Sequence, residues 1–427
     1  MGLIRFKDNV MIKFLESRIV PILIKVGENT ILVAVRNGIA FTLPFIIAGS
    51  IFLIIANLPV PGWNELLGDF GSELSVPVAV TFGAIGLIAA MGISYNLAKQ
   101  LNLDGLSCCC ITVAVFLMAQ LDDAGHISTE HFGASGLFSA IILSIFTVYV
   151  VRFFIRHNIY IKLPDSVPSA VLQSFVSLIP ATVCLALVWF VRVILNFDIN
   201  AFFTLLLSPL VIGLDTLPGM LLLVLLISLL WFCGIHGTNV LSGITSPIFL
   251  KFIAENTEAF VNHQPVPHIT AEGFYTFFIC AGGSGATMGL VLAMMLSRSR
   301  YYRSLGKMSF APAIFCINEP VIFGVPVVLN PLMMLPLIAT PLVLCTCSYL
   351  LMDLNIIGRP VFQIPWTMPP VLNAYFATAG NIPAAIWSGC MVIISTVIYY
   401  PFFKMMERTQ LLKEAEERVS LHAATHP

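Results

Sequence analysis

Charge is almost absent from long parts of this chain, and that absence constrains the fold more than any motif does. Asn37–Asn64, Leu74–Ala98, Gly105–Leu121, His131–Val151, Ser166–Val191, Thr216–Leu250, Gly273–Ser297 and Pro360–Phe403 contain no Asp, Glu, Lys or Arg. Between Lys307 and Asp353 the single charge is Glu319. An α-helix rises about 1.5 Å per residue, so about 20 apolar residues cross the hydrocarbon core of a bilayer. Each run can hold one crossing and the longest more, with Gly105–Leu121 at the limit. The runs are continuous, whereas barrel strands alternate with a period of two, so helices are expected. Only 10% of the 427 residues are charged, against about 25% in a soluble domain. The 21 Lys+Arg and 22 Asp+Glu nearly cancel, so no basic excess suits a nucleic-acid partner. The expected class is an all-α integral membrane protein.

Basic and acidic intervals alternate along the chain. Met1–Arg36 holds Arg5, Lys7, Lys13, Arg18, Lys25 and Arg36, whereas Pro59–Ser75 has Glu65, Asp69 and Glu73 and no basic residue. Asp122, Asp123 and Glu130 follow the third run, and Arg152, Arg156 and Lys162 follow the fourth. Cytoplasmic loops are the ones enriched in Lys and Arg, so the N-terminus is placed inside. Arg298, Arg300, Arg303, Lys307 and the charged tail from Lys404 fall on the same side. Two cytoplasmic termini need an even number of crossings, and about ten transmembrane helices fit. Between His236 and Glu272 counting does not close: a short crossing and a re-entrant hairpin beside an unwound segment both satisfy the pattern.

Asn9–Gly27 sets apolar residues among Lys13, Glu16, Arg18 and Lys25, the pattern of an interfacial amphipathic helix. Asn200–Leu214 is apolar but short, and Ser208-Pro209 is expected to break it, so it reads as an interfacial connector between two halves. The tail from Lys404 mixes both signs and reads as a solvated helix. The ten cysteines, Cys108, Cys109 and Cys110 among them, lie nearly all in apolar runs without CxxC or Cys/His spacing. They read as small hydrophobic residues, and neither metal nor cofactor is expected.

The first half reads as scaffold, with Gly83, Gly86 and Gly92 suited to close helix packing. The second half carries prolines, glycines and polar residues inside apolar runs, and broken helices at membrane depth are tolerated where they line a cavity. Its first constellation is Trp231-Phe-Cys-Gly-Ile-His236-Gly237-Thr238-Asn239. A glycine directly after the histidine permits close backbone approach or an unwound turn. His236, Thr238 and Asn239 offer donors and acceptors to hydroxyl groups, and Trp231 an apolar face for a sugar ring. The alternative is a histidine satisfied inside a helix bundle. The second is Asn318-Glu319-Pro320, running through Gly324 and Pro326 to Asn330-Pro331. An ionisable residue in an apolar run points to function, and the prolines interrupt helical geometry on both sides. A glutamate capping its own broken backbone is the alternative. The third is Gln363-Ile-Pro365-Trp366-Thr367-Met-Pro369-Pro370, where proline density precludes a regular helix; Gln363, Trp366, Thr367 and Asn373 suit either a polar cavity or a buried loop.

Together GIHGTN at Gly234–Asn239, NEPVIFGVPVVLNP at Asn318–Pro331 and the PWTMPP loop at Pro365–Pro370 resemble the membrane component IIC of the bacterial sugar phosphotransferase system (PTS), in its lactose/cellobiose/diacetylchitobiose family. The resemblance covers essentially the whole chain. It implies a homodimer of ten-span protomers in the bacterial inner (cytoplasmic) membrane, with two re-entrant hairpins and interfacial helices. Residues 1–28 would form a cytoplasmic or interfacial segment, 29–198 a scaffold and dimerisation half, and 199–216 the connector. Residues 217–403 would form the sugar-binding half, and 404–427 a cytoplasmic tail. By the same resemblance His236 and Glu319 are the catalytic pair and Trp231 and Trp366 the sugar-contacting tryptophans; Asn239, Asn318, Gln363 and Thr367 are the further candidate sugar contacts that the residues themselves offer. The substrate is a β-linked disaccharide such as cellobiose or diacetylchitobiose. Its phosphoryl donor is the phosphocysteine of a cytoplasmic IIB protein, itself charged by IIA. After Phe403 only a short charged tail remains and no nucleotide-cradling GxxxxGK[ST] motif is present, so on this resemblance IIA and IIB are expected as separate chains. Phosphoryl transfer to a sugar hydroxyl needs positioning and charge stabilisation. Glu319 suits a general base or a sugar ligand, and His236 an orienting group or, if protonated, an electrostatic stabiliser. Two other classes use similar residues: a proton- or sodium-coupled sugar symporter, and a non-transporting sensor or scaffold.

Overall fold

The computed structural model describes residues 21, 25, 27–57, 62–68, 70–122, 125–164, 167–325 and 327–425. The amphipathic helix expected over 9–27 lies almost wholly outside the described residues. Within them the chain is helical, and the one β-bridge, Leu121 with Ile127, is isolated. Five described helices are long and apolar enough to cross a membrane, or up to seven if each of two bent pairs counts as one span. The helices form two compact units, 25–212 with 239–265, and 213–238 with 266–427.

In the first unit, α1 (Thr30–Ala40) and α2 (Leu43–Ala56) make one long apolar run. After two single turns come α3 (Ser75–Gly83), α4 (Ile85–Gln100), α5 (Gly105–Ala119), α6 (Leu137–Arg156), α7 (Ser169–Trp189) and α8 (Ile199–Leu214). Asn29 caps α1 by accepting from the Ile31 and Leu32 amides, and Asp104 caps α5 through Ser107 N–H. Glycines set the closest crossings: a Cβ on Gly92 would lie 2.4 Å from the Gly38 carbonyl oxygen, and one on Gly86 2.6 Å from that of Gly133. Gly83, expected to pack likewise, has nothing within 4 Å of its Cβ position. Leu97, Cys108, Val115, Phe116 and Val148 centre the core, where Asn200 accepts from Ser139 and donates to Gln120.

Ser208-Pro209 does not break α8. Proline at 209 removes the bond that the Leu205 carbonyl would accept, and Ser208 Oγ donates to that carbonyl at 2.8 Å instead. The interval from His236 to Glu272 is likewise simple. A single helix, α10 (Gly237–Val261), and a connector occupy it.

The second unit contains α9 (Leu217–Phe232), α11 (Phe274–Phe278), α12 (Met288–Met295), α13 (Arg300–Ile314), α14 (Glu319–Gly324), α15 (Pro331–Asp353), α16 (Leu372–Ala377) and α17 (Ile382–Thr425). The uncharged run Gly273–Ser297 is not one helix. It divides into α11 and α12 around Gly282, Gly283 and Gly285, whose φ values of 80°, 100° and 84° belong to the left-handed region. The connector ahead of α11 is pinned by Asp215, which meets His268 Nδ1 at 2.7 Å and accepts from Thr270 Oγ1 at 2.9 Å. α17 runs on through the charged tail, and its early charges are structural: Glu407 is 3% exposed and accepts from Ser297 Oγ and Arg298 N–H.

Candidate functional site

The histidine turn follows from two glycines. At the end of α9 the Ile235 amide donates to the Leu230 carbonyl and the Gly234 amide to that of Trp231, with Gly234 at φ +79°. This is a Schellman cap, which places its left-handed residue where glycine costs least. Gly237 then opens α10 so close to α9 that a Cβ would lie 2.5 Å from the Ile227 carbonyl oxygen. Between the two glycines His236 is half-buried. Its ring centroid lies 4.5 Å from that of Trp231, and its Nδ1 is 3.0 Å from Thr238 Oγ1. Trp231 is 2% exposed, and its Nε1–H has no hydrogen-bond partner among the described residues.

The glutamate turn is built by the same device with a costlier residue. α13 ends with Ile317 N–H donating to Pro312 and Cys316 N–H to Ala313, and Cys316 takes φ +60°. Asn318 follows, buried, donating from Nδ2 to the Ser284 carbonyl at 2.6 Å. Gly283 fits beneath it, since a Cβ there would lie 2.7 Å from the Asn318 Cβ and 2.9 Å from the Cys316 carbonyl oxygen. The glycine loop is fixed in turn by Tyr399, which donates to the Gly285 carbonyl at 2.8 Å, and by Thr287, which donates to that of Gly282 at 2.9 Å. Glu319 starts α14, where the helix dipole favours a negative charge. Its side chain is exposed and has no hydrogen-bond or ion-pair partner among the described residues.

Backbone joins the segment after α14 to the end of α9. Leu329 N–H donates to the Phe232 carbonyl at 2.9 Å, and Val328 Cγ1 would lie 3.1 Å from a Cβ on Gly234. Trp231, His236, Asn318 and Glu319 all belong to the second unit. Asn239 falls in the first unit, where its carbonyl accepts from the Arg36 guanidinium at 3.0 Å. The proline loop is irregular, as its composition requires. Val361 and Phe362 amides donate to the Ala377 carbonyl, and Val371 N–H donates to Ser388 Oγ. Gln363 is buried and Thr367 half-buried, while Trp366 is 56% exposed without a ring contact or hydrogen bond among the described residues.

Sequence reading missed the Gly282–Gly285 loop that seats Asn318, although three glycines in four residues inside an apolar run was a usable signal. It also missed the Asp215–His268 contact, which no local spacing announces. Among the described residues, no group of three or more His, Cys, Asp and Glu is placed to hold a metal.

Comparison with known proteins agrees with these motifs. The family model described as the phosphotransferase system EIIC component matches residues 36–341. The chain is 39% identical to the lichenan permease IIC component of Bacillus subtilis (strain 168), over 98% of each chain. It is 38% identical to the cellobiose-specific EIIC component of Geobacillus stearothermophilus, over 97% of this chain and 99% of that one. The crystal structure of ChbC, the IIC component of an N,N′-diacetylchitobiose-specific system, superposes with a TM-score of 0.91 at 36% identity, covering 94% of this chain and 99% of that one.

Proposed function

This chain belongs to the EIIC family of the phosphotransferase system, a membrane-embedded family, and on that premise we propose that it takes up a β-linked disaccharide of the cellobiose or diacetylchitobiose type and presents it for phosphorylation. The relatives' names supply the sugar class: lichenan, cellobiose and diacetylchitobiose are all β-linked glucosyl or glucosaminyl compounds. In this reading two protomers of ten crossings, each with two re-entrant hairpins, pair through residues 29–198. Residues 217–403 carry the sugar, the termini face the cytoplasm, and a separate IIB protein approaches from that side.

The observation that supports the reading is the Leu329–Phe232 hydrogen bond, which ties the segment after α14 to the end of α9, so that the elements carrying Glu319 and His236 pack within one unit. The chemistry is then direct. Glu319 accepts the proton of a sugar hydroxyl as that oxygen attacks phosphorus; the P–S bond to the IIB cysteine breaks, and the thiolate leaves. His236, oriented by Thr238, holds the same sugar, and Trp231 and Trp366 supply apolar faces. Asn318, Gln363 and Thr367 complete the polar lining, with Asn239 as a further sugar contact.

Glu319→Gln tests the base. The variant should bind cellobiose or diacetylchitobiose measurably yet transfer phosphate from phospho-IIB about 10²–10⁴-fold more slowly. Binding and transfer falling together would make Glu319 a sugar ligand, and wild-type values for both would remove it from the site. Proteoliposomes that accumulate unmodified sugar without any phosphoryl donor would instead identify a symporter.

A further inference from the structure

α13 separates into two faces. Tyr302, Gly306, Ser309 and Ala313 are buried, and a Cβ on Gly306 would lie 2.7 Å from the Met295 nitrogen at the end of α12. Arg300, Arg303 and Lys307 are exposed, at spacings of three and four residues that put them on one helix face. Arg298, just ahead of the helix, is exposed as well. No Asp or Glu occurs in Arg300–Ile314.

Carboxylates are close by, yet among the described residues none forms an ion pair with this stripe. Glu407 accepts from Ser297 Oγ at 2.6 Å, from Arg298 N–H at 2.7 Å and from Lys404 Nζ. Glu414 accepts from Ser299 Oγ and from the Arg300 and Tyr301 amides. Both are taken up at the start of α13, where helix amides lack intrahelical partners. Among the described residues none of the four cationic heads has an ion-pair partner; Arg303 Nε donates to the Ser297 carbonyl at 2.8 Å.

The stripe is also connected to the chemistry. At about 1.5 Å per residue, Lys307 stands roughly 10 Å beyond Arg300 and about as far short of the end of α13, from which the Cys316 turn leads to Glu319. Tyr301 Oη donates at 2.7 Å to the carbonyl of Gly324, the last residue of the helix that Glu319 starts.

We propose that this basic face of α13 is the docking surface for the phosphorylated cytoplasmic partner, receiving its anionic phosphocysteine and leading it toward Glu319. The proposal rests on the IIC reading above. Charge complementarity carries it: exposed cations without an ion-pair partner among the described residues raise the local concentration of an anionic partner and speed encounter. An anchor for lipid headgroups needs cations only where the helix meets the membrane surface. This face continues to Lys307, two turns beyond Arg300, so its cations run along the helix and do not gather at one end.

Arg300→Gln/Lys307→Gln in the full chain tests it, in vesicles of phosphatidylethanolamine and phosphatidylglycerol. The probe is the IIB protein of a cellobiose phosphotransferase system, charged to phosphocysteine. Sugar affinity and the saturated rate should hold, while the half-saturating phospho-IIB concentration rises at least about tenfold at low salt. The steep salt dependence of the wild type should flatten, and Arg300→Lys/Lys307→Arg should restore it. A double variant with the wild-type half-saturation and salt slope overturns the proposal. So does a variant whose defect tracks phosphatidylglycerol content in sugar exchange without IIB, which would make the face a lipid anchor. A wild-type protein that binds sugar but yields no sugar phosphate defeats the IIC reading, and the docking with it. Failure confined to the half-saturation comparison defeats the docking alone.

Discussion

Trp231→Phe separates the two roles open to a buried indole. The ring lies 4.5 Å from His236 and is 2% exposed, so its packing belongs to the histidine turn. Its N–H is buried without a partner among the described residues. Leaving such a donor unmade costs about 1–3 kcal/mol. Phenylalanine keeps an aromatic face against His236 and drops the donor, while the smaller ring leaves a void costing about 1 kcal/mol. The two effects oppose, so the stability of the sugar-free protein should change by less than about 1 kcal/mol. Affinity should not be so balanced. A sugar hydroxyl that accepts from Nε1 relieves the unmade bond on binding, and the variant forgoes about 1–2 kcal/mol of that gain, or about 5- to 30-fold in Kd. Calorimetric titration with cellobiose and diacetylchitobiose, paired with thermal unfolding of the same preparations, reads both quantities. Wild-type affinity in a variant of wild-type stability refutes the hydrogen bond, and an equal fall in both makes the indole purely structural.

Gly237→Ala should destabilise by about 1–3 kcal/mol, because its Cβ would lie 2.5 Å from the rigid Ile227 carbonyl oxygen. Gly213→Ala, with nothing within 4 Å of its Cβ, should be neutral or gain up to about 1 kcal/mol, and thermal unfolding compares the pair. Asn318→Ala should cost about 1–3 kcal/mol by stranding the Ser284 carbonyl, with phosphate transfer falling alongside stability. Trp366→Ala should leave stability within about 0.5 kcal/mol, since the side chain is 56% exposed and makes no ring contact or hydrogen bond among the described residues. It should weaken sugar binding by about 1–3 kcal/mol, and unchanged affinity would remove it from the site.

Apolar runs were legible as helices because burial in lipid or protein asks the same thing of every position in a run. Breaks were legible only where the breaking residue has no remedy. Proline density did preclude a helix over Pro360–Pro370, whereas the Gly282–Gly285 break, in a run that looked continuous, went unread. Pro209 looked like a break and is not one, because its neighbour Ser208 supplies the bond that proline forfeits. The Asp215–His268 contact and the burial of Glu407 were illegible for a different reason. Each joins residues 53 or more positions apart, and such contacts depend on packing that local patterns do not encode.

The candidate site divides its labour between neighbours, and this division argues against Glu319 as a mere helix cap. A cap would be engaged with the amides of its own helix. At α14 no side-chain cap is made at all: Asn318, which occupies the cap position, turns instead to Ser284. Structure at this turn is held by Asn318, the Cys316 reversal and the glycine loop anchored by Tyr399. The His236 turn follows the same plan, with Gly234 and Gly237 closing the backbone and Thr238 meeting one ring nitrogen. In both turns the strain and the backbone bonds fall on residues beside the reactive one. The carboxylate is left exposed, at the positive end of a short helix, with its acceptor capacity unspent among the described residues. A carboxylate so placed keeps its acceptor oxygens available, which is what a general base needs before substrate arrives.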